Sequence, residues 1–158
     1  RSLVELRIVI GQFGGLSTIS RQLVRSLRQR SAAVIASDEP DSAAQAAAAN
    51  RFAANVYVGF ETSGSSVATI HYYAVPQFES AGGRALAVAI SDSCRSASIG
   101  TQPVVQGMRL PVLRETRMPA VLLSVGPVQQ ALDEATELVK SIVDALEVWA
   151  AGSTLSTG

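Results

Sequence analysis

Short apolar runs alternate with helical stripes along nearly the whole chain. Leu6 to Ile10 is rich in β-branched residues and is closed by Gly11-Gln-Phe-Gly-Gly15, the pattern of a strand entering a tight turn. Ile19, Leu23, Val24 and Leu27 then recur at helical spacing, with Ser17 or Thr18 placed to cap that helix. Ala33 to Ala36 predicts a second buried strand, broken by Asp38-Glu-Pro40. Asp41 or Ser42 is placed to cap an alanine-rich helix running to about Ala54. Val56 to Phe60 predicts a third strand, Ser63 to Ser66 a flexible turn, and the alternation of Val67 to Val75 a fourth strand at a sheet edge.

Ser80 to about Ser98 predicts a helix with Leu86 and Ile90 inward. An irregular stretch from Gly100 to Gly107 leads to Leu110 to Leu113, and Pro119 opens the apolar strand Ala120-Val-Leu-Leu123, which ends at Gly126. The last helix carries one stripe: Val128, Leu132, Ala135, Leu138, Val139, Ile142, Val143, Leu146 and Val148-Trp149. Near-continuous apolar strands alternating with helices predict an α/β, three-layer sandwich: a mostly parallel twisted sheet with helices on both faces. One domain over residues 1–151 is expected, with 152–158 as a flexible tail. In such sheets function sits beyond the carboxyl ends of the strands, here the loops Gly11–Gly15, Asp38–Pro40, Glu61–Ser66 and Ser124–Gln130.

Composition narrows the function. Thirteen basic and thirteen acidic residues cancel, which gives no reason to expect nucleic acid or an anionic membrane as partner. No apolar run is long enough to span a bilayer. A single cysteine, Cys94, excludes an internal disulfide and a cysteine metal cluster, and on its helix it reads as a small hydrophobe. The glycine loop lacks the Lys-Ser/Thr of a phosphate-binding loop and the third glycine of a dinucleotide fingerprint, so it reads as a turn. Arg21, Arg25, Arg28 and Arg30 stud one helix as a solvated face that is also able to receive an acidic partner.

The loops and strands, in their order, resemble the zinc-dependent N-acetylmuramoyl-L-alanine amidases. The segment Leu110-Pro-Val-Leu-Arg-Glu-Thr-Arg-Met-Pro-Ala-Val-Leu-Leu-Ser-Val-Gly126 is similar to that family's Leu, Val, Leu, Arg, spacer, Pro-Ala-Val-Leu-Val-Glu-x-Gly-Phe. Ala49-Asn50 and Ala53-Ala-Asn55 with the following strand resemble its Ala-Asn, Gly-Ala-Asp and the strand before Ser-Ile-His-Ala-Asn. Arg84-Ala-Leu-Ala87 resembles its Leu-Ala helix, and Arg7-Ile-Val-Ile10 with Gly14-Gly15 its first strand and glycine loop. The resemblance implies a site of two His and one Glu on zinc, with a further Glu as general base. Carried over residue by residue, the first His position holds Phe13 and the second holds Glu61. The loop that supplies the Glu ligand is shortened between Gly15 and Ser17, and the catalytic Glu position holds Ser124. Arg114 matches an arginine of the pattern, and a structural role is favoured for it. His71, the one histidine, lies on the fourth strand away from these positions and reads as a partly buried or surface ring.

Phe13, Glu61, Arg114 and Ser124 therefore mark a degenerate site for which no metal, cofactor or hydrolysis is expected. Glu61 reads equally well as a solvated loop carboxylate, and Ser124 as the relic of a lost Glu. The resemblance extends to a mycobacterial amidase-like regulator of peptidoglycan synthesis. It implies a binding or regulatory role, with a protein partner in peptidoglycan precursor synthesis and a cytoplasmic location. The alternatives are an envelope protein that binds a muropeptide, and an active zinc amidase with other ligands.

Overall fold

The computed structural model describes residues 2–97 and 102–153. After a single 3-10 turn at Leu3–Glu5 the elements run β1 (Arg7–Gln12), α1 (Ser17–Gln29), β2 (Ala33–Ser37), α2 (Ser42–Arg51), β3 (Val56–Thr62), β4 (Thr69–Val75), β5 (Phe78–Glu79), α3 (Ala81–Ser96), β6 (Val104–Met108), α4 (Pro111–Glu115), β7 (Ala120–Val125), α5 (Val128–Asp133) and α6 (Ala135–Ser153). The strands form one sheet. β2, β1, β3 and β7 are parallel neighbours, β4 lies antiparallel against β7, and β6 runs parallel to the other side of β4, with β5 paired to the end of β4.

Alternate residues of each strand feed two cores, as the period of two requires. Ile8, Ile10, Val56, Val58, Phe60, Val121 and Leu123 face α1, α3, α5 and α6, while Val9, Tyr57, Ala120 and Leu122 face α2 and α4. This is the three-layer α/β arrangement that the apolar pattern predicts. All six residues of β7 are buried, which is why its sequence is an unbroken apolar run apart from Ser124.

Several local expectations change. β4 is interior, between β7 and β6; its alternation reflects two different helical covers rather than one wet face. The stretch read as irregular contains β6, whose Gly107 sits against the Tyr72 ring and Ala74 with no room for a Cβ. Helix α1 starts at Ser17 with no side-chain cap; the Gln12 carboxamide oxygen instead accepts the Leu16 N–H at 3.3 Å. The Asp41 carboxylate does cap α2, accepting the Ala44 N–H at 3.1 Å, and α2 ends at Arg51. The final stripe breaks at Glu134 into α5 and α6, and Val148 points into solvent. Helix α6 continues through Gly152 to Ser153, where the sequence suggests a tail; residues 154–158 lie outside the described residues, as does Ser98 at the expected end of α3. Cys94 is buried in the larger core, and burial pushes its thiol up to about 11.

Helices α1 and α2 end in the same hydrogen-bonded turn. At α2 the Ala53 N–H donates to Asn50 O and the Ala54 N–H to Ala49 O, with Ala53 at φ +55°. At α1 Ser31 takes the equivalent place at φ +66°. This is the Schellman closure, whose left-handed residue is ordinarily glycine because a Cβ there crowds the following carbonyl. Ala53→Gly should therefore stabilise the domain by about 1 kcal/mol, a rise in Tm of roughly 2–4 °C. Thermal unfolding of the two proteins checks this; an unchanged or lower Tm would mean that the turn holds no strain.

Candidate functional site

The carboxyl ends of β1, β3 and β7 meet at one edge of the sheet. Gln12 is in register with Phe60, and Glu61 with Ser124, so Phe13 follows β1 directly alongside Glu61. The Phe13 N–H extends that ladder to Phe60 O at 3.0 Å, and its ring packs on the α2/α4 core. Only Phe13 to Leu16 separate β1 from α1. Gly14 and Gly15 turn the chain at φ +124° and +75°, angles that favour glycine, and the Gln12 carboxamide ties the turn by accepting the Gly14 N–H at 2.7 Å. The other end of that carboxamide donates to Asp38 Oδ1 at 2.9 Å. A loop this short and this tethered has no length from which to supply a further ligand.

The centre of the site is a three-residue cluster. The Ser124 hydroxyl donates to Glu61 Oε2, and His71 Nε2 lies 3.2 Å from the same hydroxyl oxygen. With the serine proton directed at the carboxylate, the ring supplies Nε2–H and keeps its lone pair on Nδ1. That Nδ1 is buried and has no hydrogen-bond partner among the described residues. His71 and Ser124 are 7% and 9% exposed, so the cluster is nearly closed to solvent, while Glu61 is partly exposed. Burial holds the imidazole below its ordinary range, and the Glu61 charge pulls in the opposite direction.

Below this cluster a second polar chain fills the same face. The Tyr57 hydroxyl donates to Gln45 Oε1 at 2.6 Å, and Gln45 Nε2 donates to the carbonyls of Gln12 and Glu39, both at 2.9 Å. Tyr57 lies over Gly11 and Gly59, which face each other in register. A Cβ on Gly11 would stand 2.7 Å from the Tyr57 oxygen, and one on Gly59 2.8 Å from its ring. Helix α2 is thereby pinned to the sheet directly beneath the loop ends.

The residues picked out by sequence divide accordingly. Phe13, Glu61 and Ser124 come together. Arg114 does not: it lines a groove of about 350 Å³ with Tyr73, Phe78, Pro119 and Ala120 at the opposite end of β7, and its guanidinium pairs with Glu115 at 2.7 Å. Four steps along the strand, about 13 Å, separate Ala120 from Ser124. His71 joins the site, although its place in sequence gives no such sign; the needed information is the pairing of β4 with β7. Gln12 is likewise visible only in the folded chain.

A zinc ion of the tetrahedral hydrolytic kind does not fit these donors. Glu61 offers one carboxylate already bonded to Ser124, His71 offers only its Nδ1 because its Nε2 is directed at the same serine, and the phenyl ring of Phe13 has no lone pair, so two donors stand where three are needed. Among the described residues no three His, Cys, Asp or Glu side chains are grouped to hold a metal ion.

The fold has clear relatives. Ami1, an N-acetylmuramyl-L-alanine amidase of Mycobacterium smegmatis, superposes with a TM-score of 0.80 at 14% identity, over 96% of this chain and 100% of that one. The amidase AmiC2 of Nostoc punctiforme gives 0.75 at 16% identity, over 96% and 99%. The catalytic domain of the amidase CwlV of Bacillus (Paenibacillus) polymyxa gives 0.67 at 21%, over 92% and 99%. No protein-family model and no curated protein matches the sequence. The chain thus has the fold of the N-acetylmuramoyl-L-alanine amidases.

The His71 environment predicts a pH response. Its folded pKa is depressed, so the neutral ring favours folding above the unfolded pKa of about 6.5, and that contribution is lost as pH falls through the folded value. Tm should decline between about pH 7 and pH 5, and His71→Gln, which retains a donor near Ser124, should flatten part of the decline. Parallel Tm–pH curves for the two proteins would show that His71 is not held neutral by the fold.

Proposed function

We propose that this chain is an amidase-fold domain that does not hydrolyse and that acts as a binding or regulatory module in peptidoglycan metabolism. The observation that carries the reading is the Glu61–Ser124–His71 cluster. Its Glu61 and Ser124 stand where the resemblance places a zinc ligand and the general base, and they bond to each other, with His71 Nε2 on the same hydroxyl. The partner we assign is a protein of peptidoglycan precursor synthesis, and the compartment the cytoplasm.

Chemistry supports the loss of hydrolysis more firmly than the absence of any one residue. A general base in such a site acts on water whose pKa the metal has lowered towards about 7; without the ion that water stays far too weak an acid. Ser124→Glu alone would place a second carboxylate beside Glu61, where repulsion and partial burial favour its protonated form.

The purified domain should carry no stoichiometric zinc, and a chelator should leave its Tm unchanged. Neither the wild type nor Ser124→Glu should release stem peptide from purified peptidoglycan with added zinc, measured against a mock purification. Chelator-sensitive turnover by either protein would overturn the reading. Saturable binding to peptidoglycan without turnover would replace the protein partner with a muropeptide.

A further inference from the structure

Helix α1 carries arginines at positions 21, 25 and 28 and no acidic residue at all, in a chain whose overall charge is zero. The spacings of four and three put the three guanidinium groups on one side of the helix, where like charges repel and weaken it. Among the described residues none of the three is ion-paired, in contrast to Arg30, which reaches Glu147 at 2.7 Å. Together with Val24, Gln29 and Ala36 they line an open groove of about 560 Å³ between α1 and β2.

β2 is the outer strand of the sheet on this side and, among the described residues, pairs only with β1. Ala33 donates its N–H to Leu6 O, so in the parallel ladder the backbone groups of 33, 35 and 37 face β1. Those of Val34 and Ala36 consequently face outward. The Arg28 guanidinium covers the Val34 carbonyl at 2.8 Å, a common way to keep an edge from pairing indiscriminately. Ala36, with an outward N–H and C=O, lies in the arginine groove itself.

We propose that this edge receives an extended acidic segment of a partner protein, added to the sheet beside β2 with its carboxylates on the α1 arginines. The two features match in scale. Alternate side chains of a strand lie about 6.6–6.8 Å apart, and arginines four and three positions apart on a helix differ by about 6 and 4.5 Å along its axis. Backbone hydrogen bonds would supply attachment and the guanidinium groups the choice of sequence. A second copy of this chain is a poor occupant, because edge-to-edge pairing would bring two arginine faces together. The inference deepens the proposed binding role by locating its surface, at a place remote from the Glu61–Ser124–His71 cluster.

The probe is a capped hexapeptide alternating glutamate and valine, titrated to millimolar concentration into the 15N-labelled domain. The expected result is saturable movement of the amide resonances of Val34 to Ser37 and of the α1 arginine side chains. The lysine–valine peptide should have no such effect. Arg25→Glu should weaken binding about tenfold or more, equivalent to one charge-assisted hydrogen bond. Ala36→Pro removes an outward donor while sparing the ladder to β1, and should weaken binding although the spectrum remains that of the folded domain. If Ala36→Pro does not fold, a peptide N-methylated at alternate residues makes the same measurement on the wild type and should bind weakly. Absence of shifts in β2 overturns the proposal. So does undiminished binding by Ala36→Pro or by the methylated peptide, which would reveal a simple anion surface. None of these readings involves turnover, so failure here is distinct from a finding of amidase activity.

Discussion

A partly buried carboxylate at the end of a parallel strand must find a counterpart, and at Glu61 that counterpart is a serine hydroxyl on the neighbouring strand. The contact sets the chemistry of the whole upper edge of the sheet. Because Glu61 and Ser124 are in register, their meeting requires only that β3 and β7 pair as they do. His71 is then drawn in from β4 to complete the hydroxyl's partners. The buried Ser124 hydroxyl left without such partners would cost about 1–3 kcal/mol, so the cluster and the strand alignment reinforce each other.

The same edge is held from below by different means. Tyr57, Gln45 and the two facing glycines make a close-packed polar plug between sheet and α2, with each hydrogen-bonding group accounted for. The short Phe13–Leu16 loop, tied by Gln12, leaves little freedom above it. The loop ends that carry Phe13, Glu61 and Ser124 are thus held from both sides.

Much of this architecture is legible in the sequence because the central strands are buried on both faces. β1, β3 and β7 appear as apolar runs, and their ends locate Phe13, Glu61 and Ser124. β4 is misleading: His71 and Tyr73 alternate with Ile70 and Tyr72 as they would in a half-wet edge strand, yet strands flank it on both sides. β6 is hidden by Gln106 and Gly107, a residue pair that resembles a loop until the Tyr72 ring is placed over the glycine. The apolar stripe through residues 128–149 keeps its phase across Glu134 closely enough to conceal the break. Arg114 shows the limit of motif matching: its neighbours in sequence lead into the right strand, but into its starting end. His71 shows the reverse, since only long-range pairing brings it to Ser124.

One tie on the far side of the sheet has a practical meaning. Trp149, the single tryptophan, donates its indole N–H to Gly82 O at 3.1 Å and so fastens α6 to the first turn of α3. Its fluorescence is a built-in optical reporter of how these two helices dock, in the layer opposite the Glu61 cluster. A ligand that rearranged the cluster alone would leave this emission dark to the event. A change in tryptophan signal on binding would therefore mean that the disturbance had crossed the sheet.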